Sequence, residues 1–181
     1  MRKVIAAEYV TLDGVMEGAE WTAPFWTDEL AEIQHKLLFE SDALLMGRVT
    51  YDGMSQAWPK SKDEDGFADR MNSLPKFVPS RTLHDLEWNA TLIKGDVAEE
   101  VTKLENLPGQ HLLIYGSSVL VQYLMKHGLI YEYRLMVFPI VLGRGKRLFG
   151  EGINTTLQLV ESKALASGVV VQTYTKVGGK K

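Results

Sequence analysis

Residues 112–149 read LLIYGSSVLVQYLMKHGLIYEYRLMVFPIVLGRGKRLF and contain the pattern that decides the fold. An apolar run ends at Gly116, and the serines that follow it are typical helix N-caps. Apolar residues then recur at helical spacing up to Gly128, a residue suited to the left-handed end of a helix. A second apolar run begins at Tyr131 and continues to about Leu142. The stretch predicts a βαβ unit in which one helix joins two parallel, neighbouring strands.

The first corner of this unit has the features of an anion site. Backbone N–H groups in the first turn of a helix have no partner within the helix, so they are free to bind a phosphate. Here the donors would come from Gly116, Ser117, Ser118 and Val119. An ordinary turn needs the same glycine and the same cap, so this stretch alone leaves both interpretations open.

Strand and helix patterns alternate along the rest of the chain. Residues 3–10 predict a first strand, and residues 27–40 predict a helix with Thr27 as its N-cap. Further predicted elements are strands at 42–46, 76–79 and 90–93, helices at 67–73 and after Asp96, and paired strands at 157–166 and 168–177. The pattern predicts one α/β domain over residues 1–177, with a mostly parallel sheet, helices on both faces and a C-terminal antiparallel hairpin. Residues 178–181 are predicted to form a disordered tail.

The composition disfavours several classes of function. The 181 residues carry a formal net charge of −3, whereas proteins that bind nucleic acid normally show a basic surface. The chain has no cysteine, and its 4 histidines are scattered without ligand spacing, so we expect no metal site. The apolar N-terminal run is broken at Glu8, and no stretch is long enough to span a membrane. We therefore expect a cytoplasmic protein without a membrane partner.

Two other predicted strands end in corners with similar chemistry. Gly47-Arg48-Val49-Thr50 follows the second strand, and Ser80-Arg81-Thr82 follows the strand at 76–79. Both corners combine a guanidinium group with hydroxyl groups, which suits a phosphate. Ligands of open α/β sheets bind at the carboxyl ends of the strands, so three such corners indicate a ligand with several phosphates. The chain has no GxGxxG after a strand, no P-loop and no GxSxG, which disfavours a standard Rossmann site, an NTPase and an α/β-hydrolase.

The ordered set of motifs resembles the dihydrofolate reductase fold. The segments that carry the resemblance are MGRVTY at 46–51, WP at 58–59, VPSRTL at 78–83, YGSS at 115–118, FP at 138–139 and LGRG at 142–145. The sequence is more similar to the subfamily that contains the C-terminal reductase domain of riboflavin-biosynthesis proteins, which shares Leu12-Asp13-Gly14 after the first strand. The resemblance covers nearly the whole chain.

This resemblance implies that the three corners bind NADPH. The residues that it assigns to the cofactor are Gly47, Arg48, Thr50, Ser80, Arg81, Gly116, Ser117, Ser118 and Val119. Ser80 and Arg81 would bind the 2′-phosphate, because that group calls for a fixed cation and hydroxyl donors. The corner at 116–119 would hold the pyrophosphate and the nicotinamide side.

The resemblance also offers two candidate catalytic carboxylates and a substrate-binding segment. Asp28 falls near the start of the first helix, where dihydrofolate reductases have an acid that orients the heterocycle, and Asp13 lies in the shared LDG turn. Each has a structural alternative, as an acid that favours a helix dipole or as a turn former. Trp21, Phe25 and Trp26 would either line a pocket for a flat ligand or cover the edge of the core.

Two functions follow from these observations. The favoured one is an NADPH-dependent reductase of a planar heterocycle, pterin-like or ribosylaminopyrimidine-like, with hydride transfer from nicotinamide C4. The alternative is a non-catalytic nucleotide-binding or assembly protein on the same fold. The expected partners are a small heterocyclic substrate and a second copy of the chain, because relatives often dimerise through strands such as those predicted at 131–142 and 168–177.

Overall fold

The computed structural model describes residues 1–177, so the predicted disordered tail at 178–181 lies outside the described residues. Its strands are β1 (Val4–Thr11), β2 (Ser41–Leu45), β3 (Lys76–Pro79), β4 (Ala90–Ile93), β5 (His111–Ile114), β6 (Glu132–Phe138), β7 (Leu157–Ala164) and β8 (Val170–Lys176). Its α-helices are α1 (Asp28–Phe39), α2 (Arg48–Ala57), α3 (Phe67–Ser73), α4 (Val97–Asn106) and α5 (Ser118–Lys126). Short 3-10 helices span Ala19–Phe25 and Trp58–Lys60.

These strands form a single mixed sheet in the order β4-β3-β2-β5-β1-β6-β8-β7. Every pair from β4 to β6 is parallel, whereas β6 pairs with β8 and β8 with β7 in antiparallel fashion. The mostly parallel sheet with a C-terminal antiparallel hairpin confirms the predicted fold class.

The predicted βαβ unit forms, but its two strands are not neighbours. β1 lies between β5 and β6 and pairs in parallel with both of them. The prediction of adjacent strands was therefore wrong, because the crossover through α5 passes over one intervening strand. The sequence of β1, VIAAEYVT, explains its place: it is buried along nearly its whole length, as a strand covered on both faces must be.

Helices cover the sheet on both faces. On one face, α1, α2 and α3 pack against the sheet through a cluster that includes Leu30, Leu38 and Met71. On the other face, α4 and α5 pack through a second cluster that includes Val101 and Leu124. The sheet therefore separates two apolar layers, as predicted.

Local signals set the ends of the elements. Thr27 Oγ1 accepts a hydrogen bond from Leu30 N at 3.3 Å, which confirms the predicted N-cap. Asp96 Oδ1 accepts one from Glu99 N at 2.9 Å and caps the helix that was predicted to follow it. The strand predicted to run from 131 to 142 stops at Phe138, because Pro139 has no N–H to continue the ladder. The aromatic segment that carries Trp21 and Phe25 forms the 3-10 helix Ala19–Phe25.

The strand order decides where a ligand site can form. β3, β2 and β5 are consecutive parallel neighbours in the sheet. Their carboxyl ends therefore lie side by side, and the three corners predicted from the sequence meet at one edge. Within residues 1–177 every helix is too short or too polar to cross a bilayer.

Candidate functional site

A cavity of about 650 Å³ lies over the carboxyl ends of β2, β3 and β5, and we call it the strand-end cavity. Six of the residues that the sequence assigned to the cofactor line it, namely Gly47, Arg48, Ser80, Arg81, Ser117 and Val119. The strand order thus places residues from three distant stretches of sequence around one space. Loop residues 95–97 complete the lining from the start of α4.

The strand-end cavity is suited to an anion. The first turns of α2, α4 and α5 all contribute to its wall, so the positive ends of three helix dipoles face it. Arg48 pairs with Asp52 at 2.9 Å one helical turn away. Arg81 is exposed and pairs with no carboxylate of residues 1–177, so its guanidinium is available to a ligand.

A second cavity of about 660 Å³ lies next to the first, and we call it the Glu8 cavity after the buried acid in its wall. Its lining is mainly apolar and aromatic, with contributions from Trp26, Met54, Trp58 and Phe67. The polar groups that line it are Glu8, Tyr9, Gln34, Thr50, Asp63, Asp65 and Tyr115. An apolar space with a few polar groups is the usual form of a small-molecule site.

Glu8 lies in the middle of the buried strand β1 and is only 4% exposed although it carries a carboxyl group. Its Oε1 accepts a hydrogen bond from the N–H of Gly116 at 2.8 Å. Burial raises the pKa of the Glu8 carboxyl to about 8, although the Gly116 N–H acts in the opposite direction. Glu8 is therefore a neutral, proton-bearing group at neutral pH.

Two tyrosines add further neutral donors beside Glu8. Burial raises the pKa of Tyr9 and of Tyr115 well above the usual value. The Tyr115 hydroxyl is buried and has no hydrogen-bond partner within residues 1–177. A buried polar atom without a partner is costly, so Tyr115 stands out as a group that a ligand would satisfy.

The two cavities share a wall at one peptide group. Gly116 lines the Glu8 cavity and Ser117 lines the strand-end cavity, and the peptide bond between them is cis. The N–H of Gly47 donates to Gly116 O at 3.1 Å and fixes the first turn of α2 against this peptide. Arg48 and Thr50 extend from that turn into different cavities, Arg48 into the strand-end cavity and Thr50 into the Glu8 cavity. A ligand that extends past this peptide group would lie in both cavities.

Comparison with known proteins assigns the chain to a family. Residues 2–171 match the model of the RibD C-terminal domain. The chain belongs to the RibD C-terminal domain family. The uncharacterized protein YyaP of Bacillus subtilis (strain 168) is 34% identical over 179 residues, which cover 96% of this chain and 94% of YyaP. The uncharacterized protein YwjB of the same strain is 27% identical and covers 93% of this chain and 95% of YwjB.

Solved structures share the fold of this RibD C-terminal domain. A putative riboflavin biosynthesis protein from Shewanella sp. PV-4 superposes with a TM-score of 0.72 at 24% identity, covering 96% of this chain and 98% of that one. A pyrimidine reductase-like protein from Corynebacterium diphtheriae superposes with a TM-score of 0.67 at 13% identity, covering 98% and 93%. A deaminase/5-amino-6-(5-phosphoribosylamino)uracil reductase from Thermotoga maritima superposes with a TM-score of 0.68 at 14% identity, covering 97% of this chain and 56% of that one.

The remaining residues predicted for the site of this RibD C-terminal domain are placed differently. Trp26 lines the Glu8 cavity and makes an edge contact with Tyr9, with ring centroids 6.1 Å apart. Trp21 and Phe25 instead pack on the edge of Phe138, with centroids 5.3 and 6.0 Å away. Ser118, predicted to bind the cofactor, is buried and lines neither cavity.

Neither of the two predicted catalytic carboxylates lines the strand-end cavity or the Glu8 cavity. Asp13 accepts hydrogen bonds from Thr11 Oγ1 at 2.6 Å, Leu142 N at 3.2 Å and Gly143 N at 2.7 Å, and these contacts lower the pKa of its carboxyl to about 2. Asp28 is the exposed first residue of α1. Asp13 therefore joins two loops, and Asp28 stands where an acid favours the helix dipole.

Glu8 is the main polar residue of the site that the sequence analysis did not assign to it. The signal is present in the sequence, because Glu8 interrupts an apolar strand whose other residues suit burial on both faces. A charged residue in such a strand is rare unless it is paired or functional.

Proposed function

We propose that this RibD C-terminal domain is an NADPH-dependent reductase of a planar heterocycle, pterin-like or ribosylaminopyrimidine-like. The bound cofactor would supply a hydride from nicotinamide C4. The observation that carries the proposal is the wall at Gly116-Ser117. It lies between a cavity suited to phosphates and a cavity suited to a ring. A dinucleotide has the same division of chemistry along its length.

The residues of the strand-end cavity fit the phosphates of such a cofactor. Arg81 and Ser80 offer a guanidinium group and a hydroxyl to a 2′-phosphate, and the first turns of α2 and α5 offer N–H groups to a pyrophosphate. Gly47 keeps the chain close to Ser117, where an added Cβ would overlap the serine side chain. The protein would thus hold the cofactor mainly through main-chain donors and one unpaired cation.

The Glu8 cavity would hold the substrate beside the nicotinamide. Its neutral carboxyl and hydroxyl groups would orient a polar ring edge, while the aromatic lining would exclude water. Positioning and exclusion of water are the contributions that a protein makes when a cofactor carries the reducing power.

The experiment is a titration followed by a turnover assay. NADPH and NADH are each titrated into the protein by calorimetry, and the complex is then offered a panel of pterins and ribosylaminopyrimidines while the nicotinamide absorbance is followed. The proposal expects NADPH to bind more tightly than NADH and at least one member of the panel to oxidise it. Equal affinity for both cofactors contradicts the NADPH preference. Tight binding without oxidation across the panel favours a non-catalytic nucleotide-binding protein.

We also propose that the protein is a homodimer. β7 is one of the two edge strands of the sheet and is exposed along most of its length, including Leu159 at 50% and Val160 at 61%. An exposed edge strand with apolar side chains is a surface that proteins usually cover. Light scattering should give twice the mass of the chain, and Val160→Lys should shift the protein toward the monomer.

A further inference from the structure

Three buried groups in the wall of the Glu8 cavity are proton donors without charge. Glu8 and the hydroxyls of Tyr9 and Tyr115 all keep their protons at neutral pH, because burial raises each pKa. Oε1 of Glu8 accepts the Gly116 N–H, so the carboxyl proton belongs on Oε2, the oxygen that is free for a ligand. The wall therefore offers hydrogen-bond donors to acceptor atoms of a neutral molecule.

The Tyr115 hydroxyl gives independent evidence for a ligand. Tyr115 lines the cavity, and its hydroxyl oxygen is buried next to it without a hydrogen bond to any atom of residues 1–177. An unpaired hydroxyl costs free energy that the fold does not recover in this state. A ligand with an acceptor or donor at this position would recover it.

The charges around the same cavity are unfavourable for an anion. Within residues 1–177 the lining contains no lysine, arginine or histidine, and its other acids are the exposed Asp63 and Asp65 at the rim. Lys60 and Lys62 are close to these acids in sequence but do not line the cavity. A phosphate here would lose its hydration, face carboxylates and find no cation. The strand-end cavity differs in having two arginines against one lining acid, Asp96, whose carboxylate caps α4.

We propose that the Glu8 cavity binds an uncharged, unphosphorylated flat heterocycle, whose acceptor atoms receive hydrogen bonds from Glu8 Oε2 and the Tyr115 hydroxyl. This inference rests on the reductase function proposed above and names the substrate class of that site. The proposed substrate differs from the phosphoribosyl compound in the name of the Thermotoga maritima protein, because it carries no phosphate. The phosphates bound by this protein would then be those of the cofactor alone.

The test uses two flavins with the same ring that differ by one phosphate. Riboflavin and FMN are titrated into the cofactor-free protein, and binding is followed by flavin fluorescence. The same titrations are made with an Arg48→Ala, Arg81→Ala double variant, so that the phosphate of FMN cannot bind through the strand-end arginines. We expect riboflavin to bind this variant at least about tenfold more tightly than FMN. Equal or tighter binding of FMN to the double variant overturns the inference, as does failure of riboflavin to bind.

Substitutions in the wall of the Glu8 cavity then test whether the flavin ring binds beside Tyr115 and Glu8. Tyr115→Phe should weaken riboflavin binding about two- to tenfold and at the same time raise the melting temperature, because it removes an unpaired buried hydroxyl. Tyr133→Phe, at a buried position that lines neither cavity, is the matched control. Glu8→Met should weaken riboflavin binding, whereas Glu8→Gln keeps a donor and should preserve most of it. Unchanged riboflavin affinity in both Tyr115→Phe and Glu8→Met overturns the inference.

The result is separable from the test of the reductase function. Flavin binding is measured without cofactor, and NADPH binding is measured without a heterocycle. Loss of NADPH binding with retained discrimination between riboflavin and FMN would refute the proposed function alone. Turnover with a phosphorylated substrate, and none with its unphosphorylated form, would refute this inference alone.

Discussion

The N–H of Gly116 donates a hydrogen bond of 2.8 Å to Oε1 of Glu8, and this bond joins the segment after β5 to the middle of β1. It partly compensates for the burial of the carboxyl, yet burial dominates, and the pKa of Glu8 rises from 4.5 to about 8. The folded protein thus holds a proton that the unfolded chain releases above about pH 4.5. Stability contributed by this protonated group is complete below pH 4.5 and is lost as pH rises toward 8.

Glu8→Gln should therefore remove a pH dependence. Glutamine has similar volume and can still accept the Gly116 N–H, but it does not ionise. We expect the free energy of unfolding of the wild type, relative to the variant, to fall by at least about 2 kcal/mol between pH 5 and 8. Urea unfolding at both pH values measures this difference. A constant difference between the two proteins would show that Glu8 is ionised in the fold.

Arg81 should control the choice of cofactor. It is exposed beside Ser80, and no carboxylate of residues 1–177 competes for it. Arg81→Ala should weaken NADPH binding by about ten- to a hundredfold, the usual effect of losing a charged hydrogen bond, and leave NADH affinity nearly unchanged. Calorimetry with both cofactors measures the ratio. Arg144→Ala, at an exposed position outside both cavities, is the control, and an equal loss of affinity for NADPH and NADH in Arg81→Ala would contradict a 2′-phosphate role.

Substitution by alanine should be harmful at one glycine of this region and favourable at another. A Cβ on Gly47 would overlap the Ser117 side chain and lie 3.2 Å from Ser117 N, so the shared wall between the cavities would have to move. Gly53, inside α2, has no atom within 4 Å of the added Cβ. We expect Gly47→Ala to weaken NADPH binding roughly tenfold, and Gly53→Ala to add about 0.5–1 kcal/mol of stability. Calorimetry and urea unfolding measure these effects, and a loss of NADPH affinity in both variants would point to a general effect on α2.

Asp13 should act on stability in acid. Its carboxylate accepts N–H groups from Leu142 and Gly143 and lies 129 positions before the first of them, so it closes the loop after β1 onto the loop after β6. Asp13→Asn places an amide against these donors and should lower the melting temperature by several degrees at neutral pH. Because the pKa of Asp13 is lowered from 3.8 to about 2, its contribution is present above pH 3.8 and is lost as pH falls through 2. Melting curves from pH 7 down to pH 2 should show the two proteins converge. Asp28→Asn, at an exposed helix start, should change the melting temperature much less.

Much of the fold could be predicted from the sequence, because its local signals agree with its tertiary contacts. Apolar spacing, the caps at Thr27 and Asp96, and the glycines that end strands all have causes within a few residues. The position of β1 between β5 and β6 could not be predicted, because strand order depends on which strand can be buried on both faces. The site, too, has features that could be predicted from the sequence and features that could not. Backbone donors at strand ends follow from local pattern, whereas the N–H groups that donate to Asp13 and Glu8 come from segments more than 100 residues away.

The burial of Lys76 should make the free energy of unfolding rise as the pH becomes alkaline. Its side chain is fully buried, with Nζ donating to Asn72 O at 3.0 Å and lying 4.1 Å from the centre of the Trp88 ring. Burial lowers the pKa of Lys76 from 10.5 to about 8, so between these values the unfolded chain holds a proton that the folded protein does not. Stability must then rise with pH across this range. Urea unfolding at pH 7.5 and pH 9.5 should show the wild type gaining about 1 kcal/mol or more relative to Lys76→Met, which cannot ionise. If the two proteins keep the same difference at both pH values, the cation–π contact and the Asn72 carbonyl hold the lysine charged inside the fold.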